Sequence, residues 1–269
     1  MTMSERVRIR TEGNLAYLTL TRPDKHNGMD GEMLSAVVKA QSAIRKLRDV
    51  RALIIHGEGP SFCAGLDFKT LLADKLTFTR MYLELWTGRK NLFQKWSMGF
   101  RDLGIPVIAA VHGNCFGAGI QLALGADIRV ATPDAQISVM EAKWGLIPDM
   151  GGITLLRELV RIDVAKELAM TGRILSGVQA HELGLVTHIN ADPVAHARTI
   201  AAEIASRSPD AVAAAKLAFQ EAWLGTESDA LSAERRWQRR LIGFKNQRVS
   251  VARNQKKEEL PFSSRRLGS

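Results

Sequence analysis

The chain has 269 residues, of which 46% are apolar and 24% are charged, a composition ordinary for a globular protein with one large domain or one domain and a helical extension. The first ten residues, MTMSERVRIR, contain no apolar stretch, so we expect no signal peptide. No apolar run approaches the roughly 18 residues that a membrane span requires, which excludes membrane insertion.

The net charge of +9 is concentrated near the C-terminus. The segment 234–266 holds eleven Lys or Arg against three Asp or Glu, while the rest of the chain is nearly balanced. A solvated basic tail, a phosphate-bearing ligand and nucleic acid each explain such a surplus. The two cysteines, Cys63 and Cys115, fit neither a disulfide framework nor a metal spacing, and we expect buried thiols in a reducing cytoplasm.

The first hundred residues alternate between apolar strands and helical patterns. Glu12-Gly13-Asn14 separates two apolar runs and indicates a β-hairpin, and Asp30 is suited to cap a helix. The predicted elements are strands over 7–10, 15–21 and 51–56, a helix over 31–47, a small-residue turn over 61–68 and an interrupted helical stretch over 69–103.

The stretch 105–124, IPVIAAVHGNCFGAGIQLAL, predicts a buried strand over 106–111, then a loop containing Gly117-Ala118-Gly119, then a helix. A glycine-rich turn at a helix start leaves backbone N–H groups free to bind negative charge. The pattern therefore predicts an anion-binding turn.

Strands and helices continue to alternate up to residue 190. The predicted elements are strands over 126–131, 136–140 and 185–189, and helices over 153–160, 164–171 and from Ser176 to Gly184. From Pro193 onward the pattern is helical, with a break at Ser208-Pro209. The alternation predicts an α/β core domain with mostly parallel strands over residues 1–192 and a helical region over 193–269.

Four motifs occur in order: Arg22-Pro23 with Asn27, Phe62-Cys-Ala-Gly-Leu-Asp67, Gly113-Asn-Cys-Phe-Gly-Ala-Gly119, and Gly145-Leu-Ile-Pro-Asp-Met-Gly-Gly152. With these motifs the chain resembles the crotonase superfamily of enoyl-CoA hydratases and isomerases over roughly residues 7–257. The resemblance implies a spiral of ββα units followed by a C-terminal helical trimerisation region. It also implies acyl-CoA as the substrate, with no separate cofactor and no metal.

Two backbone amides are expected to stabilise the reaction's negative charge. A thioester carbonyl becomes an enolate when its α-carbon loses a proton, and one fixed N–H donor contributes roughly 2.7–4 kcal/mol to such a transition state. By the resemblance, these donors are the amides of Leu66 and Ala118. Gly65 and Gly117 let the chain turn and the substrate approach.

The acidic residues decide the reaction. Resemblance to the hydratases predicts two glutamates, of which one is present as Glu141 and the other is replaced by Gln121. An amide cannot exchange a proton as a carboxylate does, although it can orient a water or a neighbouring carboxyl group. Asp149 stands where many hydratases carry glycine, and its spacing from Glu141 is similar to that of the dienoyl-CoA isomerases. Those enzymes carry an aspartate at the position of Gln121.

The resemblance places further residues around coenzyme A. They are Lys25, His26, Ala64, Gly65, Asp67 and Gly117, together with Lys257 from the C-terminal helices of a neighbouring subunit. It also implies a homotrimer or a hexamer formed from two trimers.

The prediction is an acyl-CoA double-bond isomerase in which Glu141 and Asp149 move the proton. One alternative is an enoyl-CoA hydratase that uses Glu141 with help from Gln121. A second alternative, of another class, is a catalytically weak acyl-CoA- or RNA-binding protein, although nucleic acid is the less favoured partner.

Overall fold

A computed structural model describes residues 2–67, 70, 79, 82–83, 85–86 and 90–268. Of the 35 residues in the helical stretch predicted over 69–103, 15 lie outside the described residues. In its described C-terminal part the chain forms a helix over Leu92–Met98, capped by Asn91.

The main sheet has seven strands: β1 Thr2–Ser4, β2 Val7–Glu12, β3 Leu15–Leu20, β4 Ala52–Gly57, β5 Val107–Val111, β7 Ile128–Ala131 and β10 His188–Ile189. They lie in the order β1-β2-β3-β4-β5-β7-β10. The first three strands pair antiparallel, and the four pairs from β3 to β10 are parallel. The predicted hairpin and the parallel character of the body are confirmed.

A second sheet of three short strands stands beside the first. It has the order β6-β8-β9, with β6 at Asn114–Phe116, β8 at Gln136–Ser138 and β9 at Leu175–Ser176. The prediction of a plain loop between β5 and the following helix was wrong, because β6 pairs in parallel with β8. A three-residue strand has no periodicity of its own, so only its distant partner reveals it.

The helices agree with the predictions within a few residues in most cases. Asp30 caps the first helix by accepting a hydrogen bond from the Met33 amide at 2.8 Å. Ser176 and Gln179 form a capping box. Besides Leu92–Met98, the described α-helices are Gly31–Arg45, Ala118–Leu124, Gly152–Leu156, Ile162–Thr171, Gly177–Glu182, Pro193–Ala205, Pro209–Ala222, Glu227–Arg239 and Lys245–Lys256.

Both faces of the main sheet are covered. One face packs into the larger core with the helices of the α/β body. The other face packs Tyr17, Ile54 and Ile108 against the helix Pro193–Ala205, whose Ala197 and Ala201 are fully buried. The first helix of the C-terminal region therefore rests on the sheet, and the boundary after residue 192 stays a prediction.

The sheet order brings two distant turns together. Because β4 and β5 pair in parallel, the segments that follow them leave from the same edge of the sheet. The Phe62 amide donates to the His112 carbonyl at 2.8 Å, and Cys63 pairs with Cys115 in an isolated bridge. The turn after Cys63 and the turn after Cys115 consequently lie side by side.

Among the helices that the structure describes, none is both long and apolar enough to cross a membrane.

Candidate active site

A cavity of about 710 Å³ opens where these two turns meet. Its walls are mainly apolar and include Phe93, Phe116, Met140, Trp144 and Leu146. The polar groups are few, which is the usual pattern for a site that binds a largely apolar ligand. The lining residues also include Ala64, Gly65, Leu66, Gly117, Ala118, Gln121, Glu141 and Asp149.

The Leu66 amide is free to act as a donor. Leu66 forms an isolated parallel bridge with Met29. The Met29 amide donates to the Gly65 carbonyl at 2.7 Å, and the Met29 carbonyl accepts from the Asp67 amide at 2.9 Å. In this pattern the amide of the middle residue points away from Met29. Within the described part of the chain the Leu66 N–H has no acceptor, and Leu66 lines the cavity.

Ala118 supplies a second free amide. It is the first residue of the helix Ala118–Leu124, so its N–H has no partner within that helix. Gly117 turns the chain into this helix with φ 50° and ψ −114°, a conformation that favours glycine. The Trp96 indole donates to the Ala118 carbonyl at 2.8 Å, which holds the next peptide unit, Ala118–Gly119, in place.

Glu141 lies beside the Ala118 turn. A Cβ atom built on Gly117 would stand 3.4 Å from Glu141 Oε1. The side chain is buried, and Oε2 has no hydrogen-bond partner in the described structure. Burial raises the pKa of Glu141, and the charge of Asp149 adds to the rise, whereas the hydrogen bond from Gln121 opposes it. Glu141 is thus suited to exchange a proton with a ligand in the cavity.

Asp149 lines the same cavity on the loop that precedes the helix Gly152–Leu156. Its side chain is exposed, yet the surrounding protein still desolvates it and raises the pKa of Asp149. An acyl group filling the cavity would remove more water. The N-cap of this helix is Gly151, and no side chain forms a capping hydrogen bond there. Asp149 therefore does not cap the helix.

Gln121 is engaged by protein at both ends of its amide. Its Oε1 accepts from the Met150 and Gly152 amides, each at 2.9 Å, and its Nε2 donates to Glu141 Oε1 at 2.6 Å. The residue is 1% exposed. The structure therefore brings the three predicted catalytic residues together in one wall of the cavity.

The raised pKa of Glu141 predicts a pH-dependent stability effect. Its contribution to stability is fully present below the ordinary value of 4.5 and is lost as the pH rises through the folded-state value. We expect Glu141→Gln to raise the thermal midpoint at neutral pH, where a gain of about 1 kcal/mol corresponds to roughly 2–4 °C. Calorimetry at several pH values should show the difference between variant and parent vanishing below pH 4.5.

The residues predicted to bind coenzyme A occupy different positions. Lys25 and His26 are exposed on the first loop, whose His26 carbonyl accepts from the Ala64 amide at 2.9 Å. Asp67 is outside the cavity lining and pairs with Arg22 at 2.9 Å. Lys257 ends the last helix and is exposed. Their roles toward coenzyme A stay predictions.

Sequence reasoning missed several supporting groups. Ser97 Oγ donates to the Met150 carbonyl, while Trp96 holds Ala118. Gly152 has no room for a side chain, since a Cβ atom would lie 2.7 Å from Gln121 Oε1. Gly152 belongs to the fourth sequence motif, but no local pattern marks Trp96 or Ser97, because each acts on a segment far along the chain.

Two free amides, two carboxyl groups with a raised pKa and an apolar cavity suit the class of enzyme that stabilises an oxyanion while it moves protons. Known proteins have a similar fold and a similar sequence. The profile of the enoyl-CoA hydratase/isomerase family matches residues 10–265. YngF of Bacillus subtilis (strain 168), a predicted enoyl-CoA hydratase/isomerase, is 33% identical over 255 residues, covering 93% of this chain and 94% of its own.

Two further proteins are similar. A Delta(3,5)-Delta(2,4)-dienoyl-CoA isomerase of Dictyostelium discoideum is 28% identical over 219 residues, covering 77% of this chain and 73% of its own. The crystal structure of an enoyl-CoA hydratase from Polaromonas sp. JS666 superimposes with a TM-score of 0.85 and 30% identity, covering 96% of this chain and 99% of its own. The chain belongs to the enoyl-CoA hydratase/isomerase family and has the crotonase fold.

Proposed function

We propose that this protein is an enoyl-CoA or dienoyl-CoA double-bond isomerase. The observation that carries the proposal is the placement of Glu141 and Asp149 in one cavity, each with a raised pKa, next to the free amides of Leu66 and Ala118. The similarity to the Dictyostelium dienoyl-CoA isomerase supports it.

In the proposed reaction the thioester oxygen accepts hydrogen bonds from the Leu66 and Ala118 amides. One carboxylate removes a proton from a carbon of the acyl chain, and the electron pair of the broken C–H bond becomes the enolate. The double bonds then shift, and the other carboxyl group, which starts protonated, delivers its proton to a different carbon. Glu141 lies beside the Ala118 turn, so it is suited to the carbon next to the thioester, and Asp149 to a carbon further along.

Water addition is the second candidate, because the family includes hydratases. Glu141 Oε2 is unpartnered in the described structure, and Gln121 Nε2 retains a second N–H that could hold a water. The amide cannot replace the second carboxylate that hydration normally uses. Isomerisation instead uses the two carboxyl groups that the cavity contains.

Asp149→Asn tests the proposal. We expect isomerase turnover to fall by at least ten-fold, a threshold below the usual general acid–base contribution of about 10²–10⁴-fold, while the dissociation constant for acyl-CoA stays near that of the parent. Asp102→Asn is a suitable control, because this exposed aspartate pairs with Lys90 outside the cavity. Unchanged isomerase turnover in Asp149→Asn would show that Asp149 does not move the proton. Absence of isomerase turnover in the parent would leave hydration by Glu141 as the better candidate.

We further propose that the chain works as a homotrimer or hexamer in the cytoplasm. The exposed apolar side chains of the C-terminal helices, among them Phe219, Trp223 and Phe244, support packing against other subunits. In such an assembly Lys257 would approach coenzyme A from a neighbour. A catalytically weak binding protein remains the alternative of another class, and the basic C-terminal segment favours it.

A further inference from the structure

Gln121 contacts both halves of the proposed proton-transfer pair. Its Nε2 reaches Glu141 directly, and its Oε1 binds the two amides that follow Asp149 closely in the chain, those of Met150 and Gly152. The side chain is buried, so water does not compete for these bonds. One amide group thus connects the Glu141 carboxyl to the loop that carries Asp149.

The partners fix the orientation of this amide. The Met150 and Gly152 amides can only donate, so the atom between them must be the oxygen of Gln121. The nitrogen therefore faces Glu141, and because it can only donate, Glu141 Oε1 must accept. This bond favours a proton on Oε2, because the carbonyl oxygen of a carboxyl group accepts better than its hydroxyl oxygen. Oε2 is the oxygen without a partner in the described structure.

The same bonds set the position of Asp149. Met150 is held at both ends of its backbone, its amide by Gln121 and its carbonyl by Ser97. Gly152 approaches Gln121 Oε1 so closely that a Cβ atom would lie 2.7 Å away. Asp149 is the residue directly before this clamped segment, so its separation from Glu141 depends on Gln121.

We propose that Gln121 is a positioning residue that restricts proton exchange by Glu141 to Oε2 and holds Asp149 in place relative to Glu141. Its kinetic consequences rest on the proposed isomerase function. Its effect on Glu141 exists in the protein without substrate.

Two variants separate the parts of this role. Gln121→Glu keeps an acceptor for Met150 and Gly152 but places a second carboxyl oxygen against Glu141 Oε1. Two carboxylates at that distance share a proton, so we expect the pKa of Glu141 to rise. Gln121→Met keeps the volume and removes all three hydrogen bonds. It should also raise the pKa of Glu141, because the bond from Gln121 lowers it.

Gln41→Glu is the matched control. Gln41 is also buried, and its Nε2 donates to the Lys95 carbonyl at 2.9 Å and to the Trp96 carbonyl at 3.3 Å, away from the carboxyl pair. The variant introduces the same buried carboxyl group elsewhere. The pKa of Glu141 should stay at the parent value even where this variant lowers stability.

Carbon-13 NMR of glutamate-labelled protein gives the pKa of Glu141 without substrate, with the signal assigned by Glu141→Gln. The pH profile of kcat/KM gives the same ionisation during turnover, and its acidic limb should move to higher pH in both Gln121 variants. If Glu141 has the same pKa in Gln121→Glu and in Gln121→Met as in the parent, the positioning role is wrong. A shifted NMR titration in a protein whose parent form isomerises no thioester would uphold that role and refute the proposed function.

Discussion

Replacing Glu141 by glutamine is expected to lower isomerase turnover by about 10²–10⁴-fold, the usual contribution of a general acid–base group. Glutamine has the shape of glutamate and can still accept the hydrogen bond from Gln121 through its own oxygen. It cannot take up a proton at the position of Oε2. The oxyanion donors remain, so acyl-CoA should bind with an affinity close to that of the parent.

The loss of turnover and the gain in stability expected of Glu141→Gln have one cause, the removal of a buried carboxyl group. A buried carboxyl group with a raised pKa stabilises the fold less at neutral pH than a neutral group does. Glu158→Gln is the control, because Glu158 pairs with Arg101 at 2.8 Å and lies outside the cavity. Parent-like turnover in Glu141→Gln, measured by stopped-flow and steady-state kinetics, would show that Glu141 does not carry the proton.

The second large effect is expected at Gly65, which keeps the two oxyanion turns at their separation. Gly65 has a φ of +100°, and a Cβ atom there would lie 2.9 Å from the Phe116 carbonyl oxygen and 3.9 Å from the Ala118 amide nitrogen. Gly65→Ala should push the turns apart. Since removal of one oxyanion donor costs about 10²–10³ in kcat, we expect a loss of that order.

A matched variant separates this steric effect from backbone strain. Gly13 also has a positive φ, +57°, but no atom lies within 4 Å of a Cβ built on it. Both alanine variants lose the conformational freedom of glycine, and only Gly65→Ala places a methyl group between the turns. Gly13→Ala should therefore lose stability and keep its turnover. Equal turnover in the two variants would mean that the spacing at Gly65 does not support catalysis.

Local rules predicted much of the fold. The hairpin around Gly13 and the helix capped by Asp30 follow from turn and cap chemistry that involves only neighbouring residues. The short strand Asn114–Phe116 was missed because its partner, Gln136–Ser138, is distant in sequence. The helix predicted to run to Val160 ends at Leu156, and the strand predicted from Leu185 pairs only at His188–Ile189.

The residues of the site were predicted better than the hydrogen bonds between them. The resemblance supplied Leu66, Ala118, Glu141 and Asp149, which line one cavity in the structure. The direction of the Gln121 amide could not be predicted, because it depends on two backbone donors that only the folded loop places nearby. For the same reason the ion pair between the Asp67 carboxylate and Arg22 was not predicted. Burial would raise the pKa of Asp67, but hydrogen bonds from Thr70 and Arg22 lower it overall.

The most direct test of the central claim is the product formed from a panel of 2-enoyl, 3-enoyl and 3,5-dienoyl CoA thioesters, followed by absorbance and mass. We predict that a 3-enoyl or 3,5-dienoyl thioester gives an isomer of unchanged mass whose double bond is conjugated with the thioester carbonyl. The 2-enoyl thioester should gain little or no water. Rapid gain of one water by the 2-enoyl thioester, with no shift of the other double bonds, would contradict the account.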